Sequence, residues 1–312
     1  MTTPAFRAAG LVHVYREAEV DVAALRGIDL TVPPGQRVAL LGPSGSGKST
    51  LLSIAAGLMR PSAGTVTVGD QDLGTAGRRD LERLRRDVLG LMLQGTDVNL
   101  IGHESAHANV AWSVRGIAGR DTSLGDRVLA AGGVPDDDRP VAELSVSHRQ
   151  TAALAVALAP RPRLLLADEP TSRLDGRARD VLLDLLVEET AREDIAVLLV
   201  THDERVARRM ERMVHLRDGR VGEEDSGSGR RAVVAADGSV PIPQHLRADW
   251  PTGSLVTVEP DGAGGLRVRH AHDGDQPAVD APGDRPADRP ADRPGDRPGD
   301  RPGDGPDDGR AP

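Results

Sequence analysis

No cysteine occurs in the 312 residues, so neither a disulfide nor a thiolate metal site is available to this chain. Aromatic side chains are nearly absent: one Phe, one Tyr and two Trp. Leu, Val, Ala and Ile must therefore build any core. No apolar run approaches the roughly 20 residues that span a bilayer as a helix. The opening Met1-Thr2-Thr3-Pro4-Ala5-Phe6-Arg7 lacks the charged and apolar regions of a secretory leader. A soluble cytoplasmic protein is the expectation, with any membrane association supplied by a partner. No basic stripe stands out against a net charge of −9, so general nucleic-acid binding by charge is not indicated. The most informative scarcity is lysine. The chain has one, Lys48, and every other fixed positive charge is an arginine.

That lysine lies in Gly42-Pro43-Ser44-Gly45-Ser46-Gly47-Lys48-Ser49, followed by Thr50. The segment fits G-x-x-x-x-G-K-[ST], a phosphate-binding loop. Glycine lets the backbone wrap tightly where a Cβ would clash. The inward-pointing amides, aided by the positive end of the following helix, bind anionic oxygens. Lys48 would reach the β- and γ-phosphates of a nucleotide, and Ser49 would offer its hydroxyl to Mg²⁺. An arginine fork substitutes poorly for a compact ammonium here. The flanks agree: Arg37-Val38-Ala39-Leu40-Leu41 reads as a strand and Leu51-Leu52-Ser53-Ile54-Ala55-Ala56 as a helix.

Further apolar runs at Val38–Leu41, Leu164–Ala167 and Val197–Val200 read as strands buried on both faces of a largely parallel sheet. Helical patterns such as Arg177–Thr190 lie between them, which gives an α/β layout. Residues from about 95 to 159 carry no strong strand signal and read as a helical insertion. The second apolar run ends in Asp168-Glu169-Pro170. A carboxylate at the end of a central strand lies beside a phosphate loop, where Asp168 would hold Mg²⁺. Glu169, on the other side of the pleat, would orient or deprotonate an attacking water.

With the phosphate loop, Leu164-Leu165-Leu166-Ala167-Asp168-Glu169-Pro170-Thr171-Ser172-Arg173-Leu174-Asp175 and Val200-Thr201-His202-Asp203, residues of about 6–220 resemble the nucleotide-binding subunits of ABC transporters. The lipoprotein-release and macrolide-export types are the nearest by pattern. The resemblance implies a P-loop ATPase core with antiparallel β and helical subdomains. It implies ATP and Mg²⁺ as ligands, a membrane permease as partner and a second ATPase subunit closing over the nucleotide. It also implies a location on the inner face of the cell membrane through the permease. Tyr15 then falls where the family stacks an aromatic on adenine. Gln94 matches a glutamine that senses Mg²⁺ and water. His202 matches a histidine that contacts the γ-phosphate. Asp175 matches an aspartate that contacts the opposite subunit.

One motif departs. The family's LSGGQ falls at Leu144-Ser145-Val146-Ser147-His148-Arg149-Gln150. Ser145 remains, but both glycines are replaced, and Thr151 stands where an arginine is usual. In the family this segment caps the γ-phosphate held by the other subunit, so the half-site offered to a partner is expected to be weakened. This favours asymmetric sites or a heterodimeric partner. A second pattern, His103-Glu104-Ser105-Ala106-His107, fits the H-E-x-x-H zinc helix. It lies within the helical insertion, and no third ligand is evident.

The expected organisation is an ATP-binding domain at 1–222, a flexible linker at 223–229, a β-rich module at 230–270 and a tail at 271–312. The linker expectation rests on Gly222-Glu223-Glu224-Asp225-Ser226-Gly227-Ser228-Gly229. The module, with Ile242-Pro243 and Gly253-Ser254-Leu255-Val256, resembles the AbrB/SpoVT swapped-hairpin family. Dimerisation or interaction is favoured for it over DNA binding. The tail holds 11 aspartates and 6 arginines in Gly/Ala-Asp-Arg-Pro repeats. With almost nothing apolar to bury, it is expected to be disordered, or an interaction segment. A nucleotide-gated regulatory or DNA-associated ATPase is the alternative to a transport subunit.

Overall fold

A computed structural model describes residues 2–17, 20–95, 98–226, 229–234, 238, 240, 242, 246, 248–250, 254–262 and 266–270. The chain divides into two compact units, Met1–Trp250 and Pro251–Pro312.

The first unit is built on two sheets. β1 (Phe6–Glu17) and β2 (Val20–Val32) form a long antiparallel pair, extended by β4 (Ala63–Val68) and β5 (Gln71–Asp72) in the order β2-β1-β4-β5. The larger sheet contains β3 (Arg37–Leu41), β6 (Leu89–Met92), β7 (Leu164–Asp168), β8 (Ala196–Thr201), β9 (Arg212–Arg217), β10 (Arg220–Ser226) and β11 (Gly229–Ala232). Its order is β11-β10-β9-β3-β8-β7-β6. The pairings from β9 to β6 are parallel, and β10 and β11 run antiparallel at one edge.

Every residue of β7 and β8 is buried because both faces of this sheet are covered. The period of two along the strands divides the core. Ala39, Leu165, Ala167, Val197 and Leu199 join one apolar cluster with Val110, Leu124, Leu154 and Leu186. Val38, Leu40, Leu164, Leu166 and Leu198 join the other with Phe6, Leu11, Leu25 and Leu51. Helices therefore cover one face. The antiparallel sheet and α1 (Lys48–Ala55) cover the other. The first set comprises α3 (Ala106–Val114), α4 (Ser123–Ala131), α5 (Val146–Leu158) and α6 (Gly176–Arg192). The remaining helices are α2 (Arg78–Asp87) and the short α7 (Glu204–Ala207). Ser105, Ser145 and Asp175 cap α3, α5 and α6 by accepting a backbone N–H in the first turn.

The linker expected at 223–229 is corrected. Arg220–Ser226 is a strand, hydrogen-bonded to β9 on one side and β11 on the other. Its acidic residues look like solvated linker, but they have partners across the sheet. Glu224 accepts from Arg212 Nε and Nη2 at 2.7 and 2.8 Å, and Glu223 is only 7% exposed. The expected module start at 230 moves with it, since Gly229–Ala232 is the seventh strand of the large sheet.

The second unit contains a hairpin of β12 (Val256–Pro260) and β13 (Leu266–His270). Its register pairs Val258 with Val268 and Pro260 with Leu266 on one face, and Glu259 with Arg267 on the other. Pro243 and Gly253 of the swapped-hairpin resemblance, and the whole repeat tail at 271–312, lie outside the described residues.

Candidate functional site

The phosphate loop follows β3, and its neighbours in the sheet are fixed by register. Leu41 pairs with Thr201 on β8, and Val200 of β8 pairs with Asp168 on β7. Three strand ends thus place Gly42–Ser49, Thr201-His202 and Asp168-Glu169 side by side. Gln94, exposed, lies just beyond β6, the next strand along. These ends open into a cleft of about 480 Å³. It is lined by Ser44, Gly45, Gly47, Lys48, Ser49 and Thr50 of the loop and α1, and by Asp168, Glu169, His202 and Gln94. Tyr15 of β1 forms a further wall.

The loop's shape depends on its glycines. Gly47 has φ +99, and a Cβ there would lie 2.5 Å from the Ala24 carbonyl oxygen and 2.8 Å from Leu25 Cδ2. A Cβ on Gly42 would overlap the Leu216 carbonyl oxygen. Lys48 is 8% exposed and donates from Nζ to the carbonyls of Gly42 and Pro43 at 2.7 and 2.9 Å. Burial lowers its pKa, while the nearby charges of Glu169 and Asp168 act to raise it. Burial likewise raises the pKa of Asp168. A hydrogen bond with Ser49 and the charge of Lys48 oppose that shift, and Glu169 adds to it.

Glu169 occupies the left-handed region at φ +48, which is uncommon for a side chain of this kind. Its N–H donates to the Val200 carbonyl at 2.9 Å. Its Oε1 is 2.7 Å from His202 Nδ1, and its Oε2 accepts from the Thr201 hydroxyl at 3.3 Å. Tyr15 Oη is 3.1 Å from Thr50 Oγ1, and its ring meets His13 edge-on with centroids 4.8 Å apart.

The residues present fit a magnesium nucleotide. Oδ1 of Asp168 and Oγ of Ser46 are buried polar atoms with no hydrogen-bond partner in the chain, and buried polar atoms ordinarily have one. Ser49 and Asp168 supply hard oxygen donors side by side, the donor chemistry that Mg²⁺ takes. The glycine-lined backbone and the buried ammonium provide an anion cradle. Tyr15 presents a half-exposed π face at the far wall.

Eleven of the residues singled out in the sequence line this cleft. Gly42, Pro43 and Ser46 belong to the same loop but do not line the cleft; the Gly42 and Pro43 carbonyls hold Lys48 Nζ, and Ser46 is buried. Ser145 and Asp175 do not line it, and each caps a helix within the chain. Ser145 Oγ accepts from the His148 N–H at 3.2 Å and is 2.9 Å from Ser147 Oγ. Asp175 Oδ1 accepts from the Ala178 N–H at 2.9 Å. In the H-E-x-x-H segment, His103 precedes α3 instead of sharing a face with His107. His107 is 2.9 Å from Asp126 Oδ1 and 3.3 Å from Asp136 Oδ1. Sequence reasoning missed Val22, Ala23 and Ala24, which line the cleft beside Tyr15. Nothing local marks them, since small apolar residues on a strand are ordinary. It also missed Thr201, whose hydroxyl function is apparent only across the sheet.

A family model described as ABC transporter matches residues 25–172. The lipoprotein-releasing system ATP-binding protein LolD 1 of Caulobacter vibrioides is 38% identical over 224 residues, covering 70% of this chain and 95% of that protein. A LolD protein of Ruegeria sp. is 41% identical over 204 residues, 64% of this chain and 88% of that one. The macrolide export ATP-binding/permease protein MacB of Azoarcus sp. is 38% identical over 225 residues, 70% of this chain, but the match spans only 34% of that longer protein. Among solved structures, the dimeric form of a bacterial ABC transporter cassette superposes with a TM-score of 0.64 at 30% identity, covering 71% of this chain and 98% of that one. The same cassette in a post-hydrolysis state bound to ADP and Pi gives the same TM-score, 0.64, at 30% identity.

Proposed function

The chain belongs to the ABC transporter family as an ATP-binding subunit, and from that premise we propose that it hydrolyses ATP to drive a separate membrane permease, in export or in extraction of a substrate from the membrane. No described helix is long and apolar enough to cross a membrane. The permease would supply the membrane path and hold this subunit on the inner face. One observation carries the reading: the phosphate loop, Asp168, Glu169 and His202 converge from three adjacent strand ends on one cleft.

In this reading the loop amides and Lys48 hold the β- and γ-phosphates. Ser49 and Asp168, with Gln94 beside them, would hold Mg²⁺, which would supply positive charge against the phosphates. Glu169 accepts a hydrogen bond from the attacking water and aligns it with the γ-phosphorus. Lys48 and His202 stabilise the charge that develops as the bond to the leaving oxygen breaks. The Tyr15 ring stacks on the base.

The partner-facing segment sets this chain apart. Val146, the first residue of α5, is 38% exposed where a glycine would let another backbone approach closely. The Ser145 hydroxyl is engaged by its own helix. We assign this chain the competent half-site in its own cleft and a weakened half-site toward its partner, which favours a second, different ATPase subunit. The test is steady-state ATP hydrolysis by the purified chain, alone and with each ATPase and permease encoded beside it. Strong stimulation by one such partner is the expected result. A homodimer turning over at the full rate of its relatives would remove the asymmetry. Tight ATP binding with negligible hydrolysis in every mixture would remove the transport reading.

A further inference from the structure

We propose that Thr201 is a positioning residue for hydrolysis: its hydroxyl fixes the plane of the Glu169 carboxylate that orients the attacking water. The inference rests on the role assigned to Glu169 above. Thr201 is the last residue of β8 and is 1% exposed. Its Oγ1 accepts the backbone N–H of Asp203 at 3.0 Å and donates to Glu169 Oε2 at 3.3 Å. A threonine hydroxyl has one hydrogen, and a carboxylate oxygen only accepts. The N–H of Asp203 engages a lone pair on Oγ1, which turns the single hydrogen toward Glu169.

The two oxygens of Glu169 are therefore held separately, Oε2 by Thr201 and Oε1 by His202 Nδ1 at 2.7 Å. One contact would fix where the carboxylate sits and leave it free to rotate. Two contacts on different oxygens fix its plane, and with it the direction of the lone pairs offered to water. The two holders are unequal. The His202 side chain is 68% exposed and is itself assigned to the phosphate. Thr201 is locked in the sheet by its pairing with Leu41 and has no solvent alternative. Thr201 is thus the buried, sheet-fixed member of the two contacts that together set the carboxylate plane. Glu169 needs such a holder because its backbone, at φ +48, has left the strand geometry of β7.

Thr201 also supports the turn into α7 by accepting the Asp203 N–H, so the test must separate placement of Glu169 from local stability. Turnover and melting temperature are measured on the full chain with Mg²⁺ and ATP for Thr201→Val, Thr201→Ser, Glu169→Gln and the double variant Thr201→Val/Glu169→Gln. Val keeps the branched shape without the hydroxyl, whereas Ser keeps the hydroxyl. The expected result is a fall in kcat of about tenfold in Thr201→Val, the scale of one hydrogen bond to a charged group. KM for ATP stays within about twofold, and Thr201→Ser recovers most of the rate. In the Glu169→Gln background, Thr201→Val costs no further rate, because residues acting as one unit are not additive. Any change in melting temperature is the same in both backgrounds.

Unchanged kcat in Thr201→Val, a Ser variant as slow as the Val variant, or an undiminished further loss in the Glu169→Gln background overturns the inference. If Glu169→Gln alone turns over normally, the role of Glu169 itself is wrong and the inference falls with it. A dead Glu169→Gln beside a normal Thr201→Val removes only the role of Thr201.

Discussion

Asp168, proposed above as a holder of Mg²⁺, shows what burial costs a single charged side chain. Burial raises its pKa, and that effect outweighs the favourable contacts with Ser49 and Lys48. In the protein without nucleotide, the ionised carboxylate is therefore a net cost at neutral pH, and its Oδ1 lacks a partner. Asp168→Asn removes the charge and keeps the shape. Calorimetry of the nucleotide-free variant should show a melting temperature raised by roughly 2 °C or more, with Mg²⁺-dependent hydrolysis reduced by at least about 100-fold. A lower melting temperature would mean that the attraction of Lys48 outweighs desolvation. Residues of this kind were legible in the sequence because their chemistry dictates type and spacing together. A phosphate loop needs glycine where no Cβ fits, and Gly47 shows why. Thr201 was not legible as a contact of Glu169. The two are 32 residues apart, and the contact exists only because β7 and β8 are neighbours.

Secondary structure was readable where burial forces one kind of residue. The apolar runs at Val38–Leu41, Leu164–Ala167 and Val197–Val200 all lie within observed strands. The helical pattern Arg177–Thr190 lies inside α6, which begins at Gly176 after its Asp175 cap. Composition failed at β10 because that strand is at the far side of the sheet, where polar residues are tolerated. Its Glu224 is held by Arg212, twelve residues earlier on the neighbouring strand β9, and a run of Gly, Glu, Asp and Ser carries no record of that pairing in its own composition. The boundary therefore has a mechanical test. A chain ending at 222 loses most of β10, all of β11 and the double hydrogen bond between Arg212 and Glu224. A chain ending at 250 keeps them all. The shorter chain should melt several degrees lower, since stranding Arg212 and baring the sheet edge costs on the order of 2 kcal/mol. The longer truncation should melt within about 1 °C of the ATPase unit in the full chain, because it cuts between the two compact units. Equal melting of both truncations would restore the linker reading.

Across the whole molecule, the layout followed from alternating strands and helices, and the family from motifs spread over two thirds of the chain. The assembly was less legible. It depends on surfaces such as the α5 N-terminus, where Val146 is exposed beside the cap made by Ser145. The lone lysine has a practical consequence at this scale. Apart from the terminal α-amine, the chain carries one primary amine, and it lies in the phosphate cradle, tied to two loop carbonyls. Burial lowers its pKa and so enlarges the nucleophilic neutral fraction, while limiting access to reagent. Acylation with an amine-selective ester, followed by mass spectrometry, should therefore add one slow side-chain adduct, at Lys48, and saturating Mg²⁺ and ATP should suppress it. An unchanged labelling rate at saturation would place the phosphates elsewhere. The arginine-only composition has made this protein its own single-site occupancy probe, able to report in a mixed complex which of two ATPase subunits holds nucleotide without any engineered label.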